Sequence, residues 1–225
     1  MNKILKRTLQ GIVGAAIISG TYLGKHQDDF PPFYSHKTGD SYGINVSFYT
    51  EIEEGASING ANVSLVTIND GAINGLNATI GTSHDYKSIV NGLEIGLLNF
   101  SGKNSASTFN GVQIGVANSD PEASNSNPSA DLIHNDIFHG VQIGLFNSCG
   151  NVYRDFKGVQ IGLGNSADNI KGVQIGVANI PDTLTGLSIG LVNKVKQLNG
   201  TQIGVYNKSQ NHEGVLLNVD YDGGK

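Results

Sequence analysis

The sequence predicts an all-β protein, a single-domain parallel β-solenoid of about eleven short coils. Three observations predict this fold. The octet G-V-Q-I-G-V-A-N, written from Gly172 to Asn179, recurs with small changes along the chain. Apolar and polar residues alternate within each octet, which is typical of strands with two different faces. The last five octets begin 14 residues apart, and such repetition indicates one small unit stacked on copies of itself.

Eleven octets can be aligned, and the glycine that begins each of them is numbered position one. These glycines are Gly43, Gly60, Gly75, Gly92, Gly111, Gly140, Gly158, Gly172, Gly186, Gly200 and Gly214. Positions two, four and six are apolar almost throughout, position three is polar in ten of the eleven octets, and position eight is Asn in seven consecutive octets. We therefore expect positions two, four and six to face the core and position three to face solvent. Asn at position eight is expected at a corner.

The polar residues at position three are the candidate binding residues. They include Gln113, Gln142, Gln160, Gln174 and Gln202. In a stack with coils about 4.8 Å apart, outward amides at this spacing form a grid that could hold an extended glycan. The alternative interpretation is a ladder that only stabilises the stack. Glu94 occupies the same column and is expected to be a solvated variant of it.

An antiparallel β-barrel is the alternative fold. In a parallel solenoid each residue lies over its equivalent in the next coil, whereas neighbouring antiparallel strands do not align equivalent positions. The persistent Gln and Asn columns favour the parallel stack. The long connections also favour it, because three consecutive ones are extended, after Asn99, Asn118 and Asn147, and a solenoid accepts insertions at a corner of any coil.

The chain divides into three parts. Residues 1–24 combine a basic tip of Lys3, Lys6 and Arg7 with an apolar run, which predicts a signal peptide or an N-terminal anchor. Residues 25–40 are expected to be a linker, since Pro31 and Pro32 disfavour helix and sheet. Residues 41–225 are the predicted repeat domain, and its last octet breaks the pattern as a cap would.

The pattern G-V-Q-I-G-[VL]-x-N resembles the surface-repeat proteins found among exported proteins of spirochaetes and related bacteria. The resemblance is good from Gly92 to Asn207 and loose from Gly43 to Thr82, where Asn replaces Gln and Ser or Thr replaces the second Gly. It implies export and exposure at the cell surface or outside the cell. It implies no reaction and carries no catalytic residues.

Composition excludes several function classes. The formal net charge of −5 argues against binding of nucleic acid phosphates. Cys149 is the single cysteine, so an internal disulfide and a zinc ribbon are excluded. The segment from Ser119 to His139 is rich in Asp and His and is the candidate metal-binding loop, but it lacks an established metal-ligand spacing and is interpreted as a solvated insertion.

The function expected from the sequence is that of an exported, surface-exposed, non-catalytic structural or adhesion-type binding protein. A glycan or a surface protein is the expected partner, a membrane is contacted only through the N-terminal segment, and no cofactor is expected. The alternatives are an outer-membrane β-barrel pore and, less favoured, a β-helix enzyme acting on polysaccharide, which would need grouped carboxylates on a strand face.

Overall fold

The computed structural model describes residues 34–84, 87–101, 107–120, 137–149 and 155–220, and all regular structure in these ranges is β-strand. In chain order the strands are Tyr34–Lys37 (β1), Ser41–Ile52 (β2), Ser57–Asn69 (β3), Ala72–His84 (β4), Ile89–Ile95 (β5), Leu98–Ser101 (β6), Thr108–Ile114 (β7), Ala117–Asp120 (β8), Ile137–Ile143 (β9), Phe146–Cys149 (β10), Asp155–Ala167 (β11), Asn169–Asn179 (β12), Thr183–Lys194 (β13), Gln197–Lys208 (β14) and Glu213–Asp220 (β15).

Ten of the eleven octets stack as parallel layers, here called rungs. The rungs are β2, β3, β4, β5 with β6, β7 with β8, β9 with β10, β11, β12, β13 and β14. Equivalent octet positions lie side by side, so that Gly172 pairs with Gly186 and Asn179 pairs with Asn193. The predicted parallel β-solenoid is confirmed, and the antiparallel alternative is wrong for these ten rungs.

Both ends of the stack differ from the prediction. At the carboxyl end, β15 runs antiparallel to β14, with Leu217 opposite Ile203, so the eleventh octet is a terminal strand and not another rung. At the amino end, β1 stacks in parallel on β2, with Tyr34 beside Tyr49. The solenoid therefore begins before Ser41, and the prediction of a linker is wrong for residues 34–37. The predicted N-terminal segment and residues 25–33 lie outside the described residues.

The glycine at position one is required by the backbone of the rung. From Gly43 to Gly200 each of the ten glycines has a positive φ, between 100° and 154°. Side chains of L-residues clash with their own backbone in this region. In nine of the ten, from Gly60 to Gly200, an added Cβ would also overlap the carbonyl oxygen of the equivalent glycine in the preceding rung. The repeat therefore begins with glycine because two backbones approach closely there.

The interior of the solenoid has an apolar half and a polar half. The apolar half is built by the residue two places before each octet, and its buried members are Ile58, Ile73, Val90, Phe109, Phe156, Ile170, Leu184 and Leu198. Phe138 completes this column and stacks between two aromatic neighbours, with ring centroids 4.7 Å from Phe109 and 4.8 Å from Phe156. The polar half is built by positions three and eight, which the sequence placed at the surface and at a corner.

Candidate functional site

The five candidate glutamines lie inside the solenoid. Gln160, Gln174 and Gln202 are 0 % exposed, Gln142 is 3 % exposed and Gln113 is 6 % exposed. The prediction that this column faces solvent is therefore wrong. Burying an amide costs free energy unless its donors and acceptors are paired. Here most of the amides pair with their equivalents in neighbouring rungs, and that pairing permits the burial.

The glutamine ladder runs towards the amino end of the stack. The Nε2 atom of Gln174 donates to Oε1 of Gln160 at 2.8 Å, Gln160 donates to Gln142 at 2.9 Å, and Gln142 donates to Gln113 at 2.9 Å. Gln113 then donates to Oε2 of Glu94 at 2.8 Å. Every donor in this ladder points to the preceding rung.

The asparagine ladder of the first rungs runs in the opposite direction. Asn45 donates through Nδ2 to Oδ1 of Asn62 at 2.7 Å, and Asn62 donates to Asn77 at 2.8 Å. Asn77 then donates to Oε1 of Glu94 at 2.9 Å. The two ladders thus converge on one residue. A carboxylate has no donor and accepts at both oxygens, so it satisfies two converging donors, which an amide cannot do.

Glu94 is fully buried and has a further partner within the core. Nε2 of His84 lies 3.0 Å from Oε1 and 3.1 Å from Oε2 of Glu94, and Nδ1 of His84 lies 3.3 Å from Nδ2 of Asn69. Burial by itself would raise the pKa of Glu94, but the His84 charge and the hydrogen bonds from His84, Gln113 and Asn77 outweigh burial and hold that pKa below its ordinary value. The expectation of a solvated Glu94 is wrong.

A third ladder is formed by the asparagines at position eight. Each of the first six donates to its equivalent in the following rung at 2.8 Å, and the seventh donates to the Gly204 carbonyl oxygen; the members are Asn99, Asn118, Asn147, Asn165, Asn179, Asn193 and Asn207. The same nitrogen also donates to the position-four carbonyl of the next rung, as Asn179 does to Ile189 at 2.9 Å. These asparagines are buried. None of them has a left-handed backbone conformation, since Leu216 is the one non-glycine residue with positive φ in the described ranges.

The ladder of position eight explains the glycine at position five. A Cβ added to Gly176 would lie 2.5 Å from the Gly162 carbonyl oxygen of the preceding rung, 2.6 Å from Nδ2 of Asn165 and 3.0 Å from Oδ1 of Asn179. Real side chains do not approach so closely, so the asparagine ladder needs glycine beside it. In the first two rungs Ser replaces this glycine and Thr replaces Asn, and Ser64 pairs with Thr67 at 2.7 Å. Both octet variants thus place hydrogen-bonded side chains in this part of the interior, either Asn beside Gly or Thr beside Ser.

Each long ladder leaves an unpaired atom where it ends. Oε1 of Gln174 is buried without a hydrogen-bond partner, because the next rung has the shorter Ser188 at position three, and Ser188 donates to Asn193 instead. Oδ1 of Asn99 is also buried without a partner, because the preceding rung has Thr82 at position eight, beside Asn99. Pairing along a ladder therefore stops where the adjacent rung has no amide or carboxylate at the equivalent position.

The apolar residues at positions four and six point outward, and we call this surface the apolar face. It consists of Val46, Phe48, Val63, Leu65, Ile80, Ile95, Leu97, Ile114, Val116, Ile143, Leu145, Ile161, Leu163, Ile175, Val177, Ile189, Leu191, Ile203 and Val205. All of them except the half-buried Ile114 are 36 to 61 % exposed. The prediction that these positions form the core is wrong, and the surface they form is the feature that sequence reasoning missed.

A shallow groove runs along the apolar face between its two columns. Over four adjacent rungs, from Ile114 to Val177, the groove is lined by Ile, Gly, Val and Leu from positions four, five and six. Position two is also apolar in nine of the ten rungs and lies on the same side of the strand. Beyond it, a surface ladder of Asn59, Asn74, Asn91 and Asn110 borders the face, with hydrogen bonds of 2.8 to 2.9 Å. The groove is therefore an apolar surface, and beside its four rungs the border carries Asn110, His139, Lys157 and Lys171.

The described residues contain no group of three or more His, Cys, Asp or Glu side chains that could hold a metal ion. Most of the candidate loop from Ser119 to His139 lies outside the described residues, so its metal ligands are not placed. No helix in the described ranges is long and apolar enough to cross a membrane.

Comparison of the chain with protein families, with curated proteins and with solved structures finds no match. The class is accordingly defined by the fold and its surfaces. The described chain is a parallel β-solenoid in which the amides of octet positions three and eight lie inside and the aliphatic side chains of positions four and six lie outside.

Proposed function

We propose that this chain is an exported, surface-exposed, non-catalytic structural and binding protein. The observation that carries the proposal is the division of the repeat. The polar side chains of positions three and eight are buried and hydrogen-bonded between rungs. The aliphatic side chains of positions four and six form a continuous outer surface. A repeated surface without reactive groups suits docking to another surface and offers no chemistry to a substrate.

The partner we propose is a protein surface. A glycan would need outward hydrogen-bonding groups, and the glutamines that were candidates for that role are buried and bonded to one another. Positions two, four and six carry no charged side chain in any of the ten rungs, so this face also offers nothing to phosphates or metal ions. Apolar contact is the interaction that remains.

Export and surface exposure can be tested in a bacterial host that has an outer membrane. The full chain would carry an epitope tag after Lys225, and antibody binding would be measured on intact and on lysed cells. We expect the tag to be reached on intact cells. The matched control replaces Lys3, Lys6 and Arg7 by Glu, which removes the basic tip that export signals use, and its tag should be reached only after lysis. A wild-type tag that is reached only in lysed cells would contradict the proposal.

A further inference from the structure

The apolar face is larger than an isolated protein normally exposes. With the half-buried residues of position two counted as a third column beside positions four and six, ten rungs about 4.8 Å apart and columns about 6.5 Å apart cover on the order of 600 to 900 Å² including side-chain margins. The largest apolar patch on a typical monomer is about 300 to 600 Å², and a stable complex buries about 800 Å² per partner. The area of this face is therefore that of a protein interface.

The shape of the face restricts the partner. All ten rungs keep the same register, so the two columns are straight ridges on either side of a straight groove. A surface that fits this pattern over its whole length must repeat at the same spacing. A second copy of this chain meets this condition because its rungs have the same spacing. Two sheets of this kind can pack face to face about 10 Å apart, with the ridges of each in the groove of the other.

In the described residues, one extended connection leaves and re-enters the stack away from the apolar face. The described chain leaves one rung at Cys149 and enters the next at Phe156, both of which belong to the apolar half of the interior, away from positions four to six. This connection thus departs from a different corner of the rung. The border of the face consists of neutral asparagines beside the early rungs, whereas His139, Lys157 and Lys171 occupy the same position in later rungs.

A lipid surface is less well matched to the same face. Proteins that lie on membranes typically use Trp and Tyr at the interface and basic residues beside the apolar surface. The chain has no Trp, and its formal net charge is −5. That charge opposes approach to anionic lipid.

We infer that the chain forms a two-fold symmetric dimer in which the apolar faces of two copies, from Val46 to Val205, pack against each other. This inference rests on the proposed function as a non-catalytic binding protein and names its partner. Because each substitution in a two-fold interface occurs twice, a single charged residue in the groove acts at two places.

The test is the molar mass of the full chain in solution, measured by analytical ultracentrifugation over a range of concentrations. The decisive variant is Val177→Lys, which places a charge in the groove at a residue that is 45 % exposed. The matched control is Ile180→Lys, a residue 50 % exposed that lies beyond the inward-facing Asn179 and outside the apolar face. A second control is Val215→Lys on β15, which is 68 % exposed.

We expect the wild type and both controls to be dimers. The dissociation constant of the Val177→Lys dimer should be at least about tenfold higher than that of the wild type. Circular dichroism should show the same strand content in all four proteins, since every substituted side chain is already exposed. Both controls should keep the wild-type thermal midpoint, whereas loss of the dimer lowers the midpoint of Val177→Lys. A wild type that is a monomer up to about 100 μM would overturn the inference, because a face of this area should associate below that concentration.

Other outcomes identify other occupants and also overturn the inference. A dimer lost in Val215→Lys but kept in Val177→Lys would show pairing through the terminal strand. A monomer that cosediments with neutral phosphatidylcholine vesicles, and loses this binding in Val177→Lys, would show a lipid surface as the partner. Each result is independent of the export measurement, so failure of the dimer and failure of the proposed function are distinguishable.

Discussion

Glu94 is the side chain at which two oppositely directed hydrogen-bond ladders meet in the interior. Amide ladders have a direction, because each amide donates on one side and accepts on the other. The asparagine ladder from Asn45 and the glutamine ladder from Gln174 both send donors towards Glu94. A carboxylate is the side chain that ends both ladders without an unpaired donor. His84 adds a third donor beside it.

We predict that Glu94→Gln lowers the free energy of unfolding by about 3 kcal/mol, because one converging donor then faces an amide nitrogen and His84 loses its ionic partner. Chemical denaturation at pH 7 measures this loss. The control is Glu213→Gln, the same chemical change on an exposed β15 carboxylate, which should leave the free energy of unfolding nearly unchanged. Equal effects of the two changes would contradict the proposed role of Glu94.

The same residue should give the fold an acid-sensitive component. Because the folded-state pKa of Glu94 lies below its ordinary value of 4.5, its charged form stabilises the fold at higher pH, and this contribution is lost as the pH falls through the lowered value. The stability difference between the wild type and Glu94→Gln should therefore narrow below pH 4.5. Thermal midpoints of both proteins between pH 3 and pH 7 measure this narrowing.

At the scale of the rung, the glycines of positions one and five are required for different reasons. Position one needs a positive φ and lies against the backbone of the preceding rung, whereas position five makes room for the asparagine ladder. In the rung that begins with Gly75, the glycine at position seven, Gly81, has neither constraint, since an added Cβ would meet nothing closer than the Leu98 carbonyl oxygen at 3.8 Å. One rung thus contains both a required and a replaceable glycine.

We predict that Gly75→Ala lowers the free energy of unfolding by more than about 3 kcal/mol, since the new methyl group would overlap the Gly60 carbonyl oxygen at a φ of 135°. Gly81→Ala is the matched change in the same rung and should alter stability by less than about 1 kcal/mol. Urea unfolding followed by circular dichroism compares the two. A tolerated Gly75→Ala would show that the rungs can separate at this point without loss of the stack.

At the scale of the whole molecule, a stack of parallel rungs must end without offering its edge to other chains. Unpaired N–H and C=O groups at a sheet edge pair readily with a further strand. Here β15 turns back along β14, and its register shifts between Gly204 and Asn207, with Leu216 at a φ of 71°. Asn218 donates to Oε1 of Gln202 at 2.8 Å, so the terminal strand also completes the interior.

We predict that deletion of residues 213–225 causes the chain to form assemblies larger than those of the full chain, because β14 then presents an open edge and Gln202 loses its buried donor. Light scattering over time measures their growth. Deletion of residues 221–225 alone keeps β15 and should behave as the full chain does. Unchanged scattering after the longer deletion would show that β15 does not protect the edge.

The octet period by itself determined the fold class of this protein. Strict repetition with alternating polarity requires strands, and constant residue types at constant positions favour parallel stacking in register, as the pairing of Gln160 with Gln174 shows. The cap was also visible in the sequence, since the last octet departs from the pattern at Leu216 and Asn218.

Which face points inward was decided by the tertiary structure. Alternation shows that two faces exist, and the assumption that the apolar one is buried is a tendency and not a rule. An amide can be buried only when its neighbour in space completes its hydrogen bonds, and residues such as Gln160 and Gln174 become neighbours only after the chain has coiled. One signal was present in the sequence, because position eight stays Asn in seven octets while position six varies among Phe, Leu, Ile and Val. A uniform column of amides is typical of a ladder in which each side chain bonds to its equivalent in the next rung.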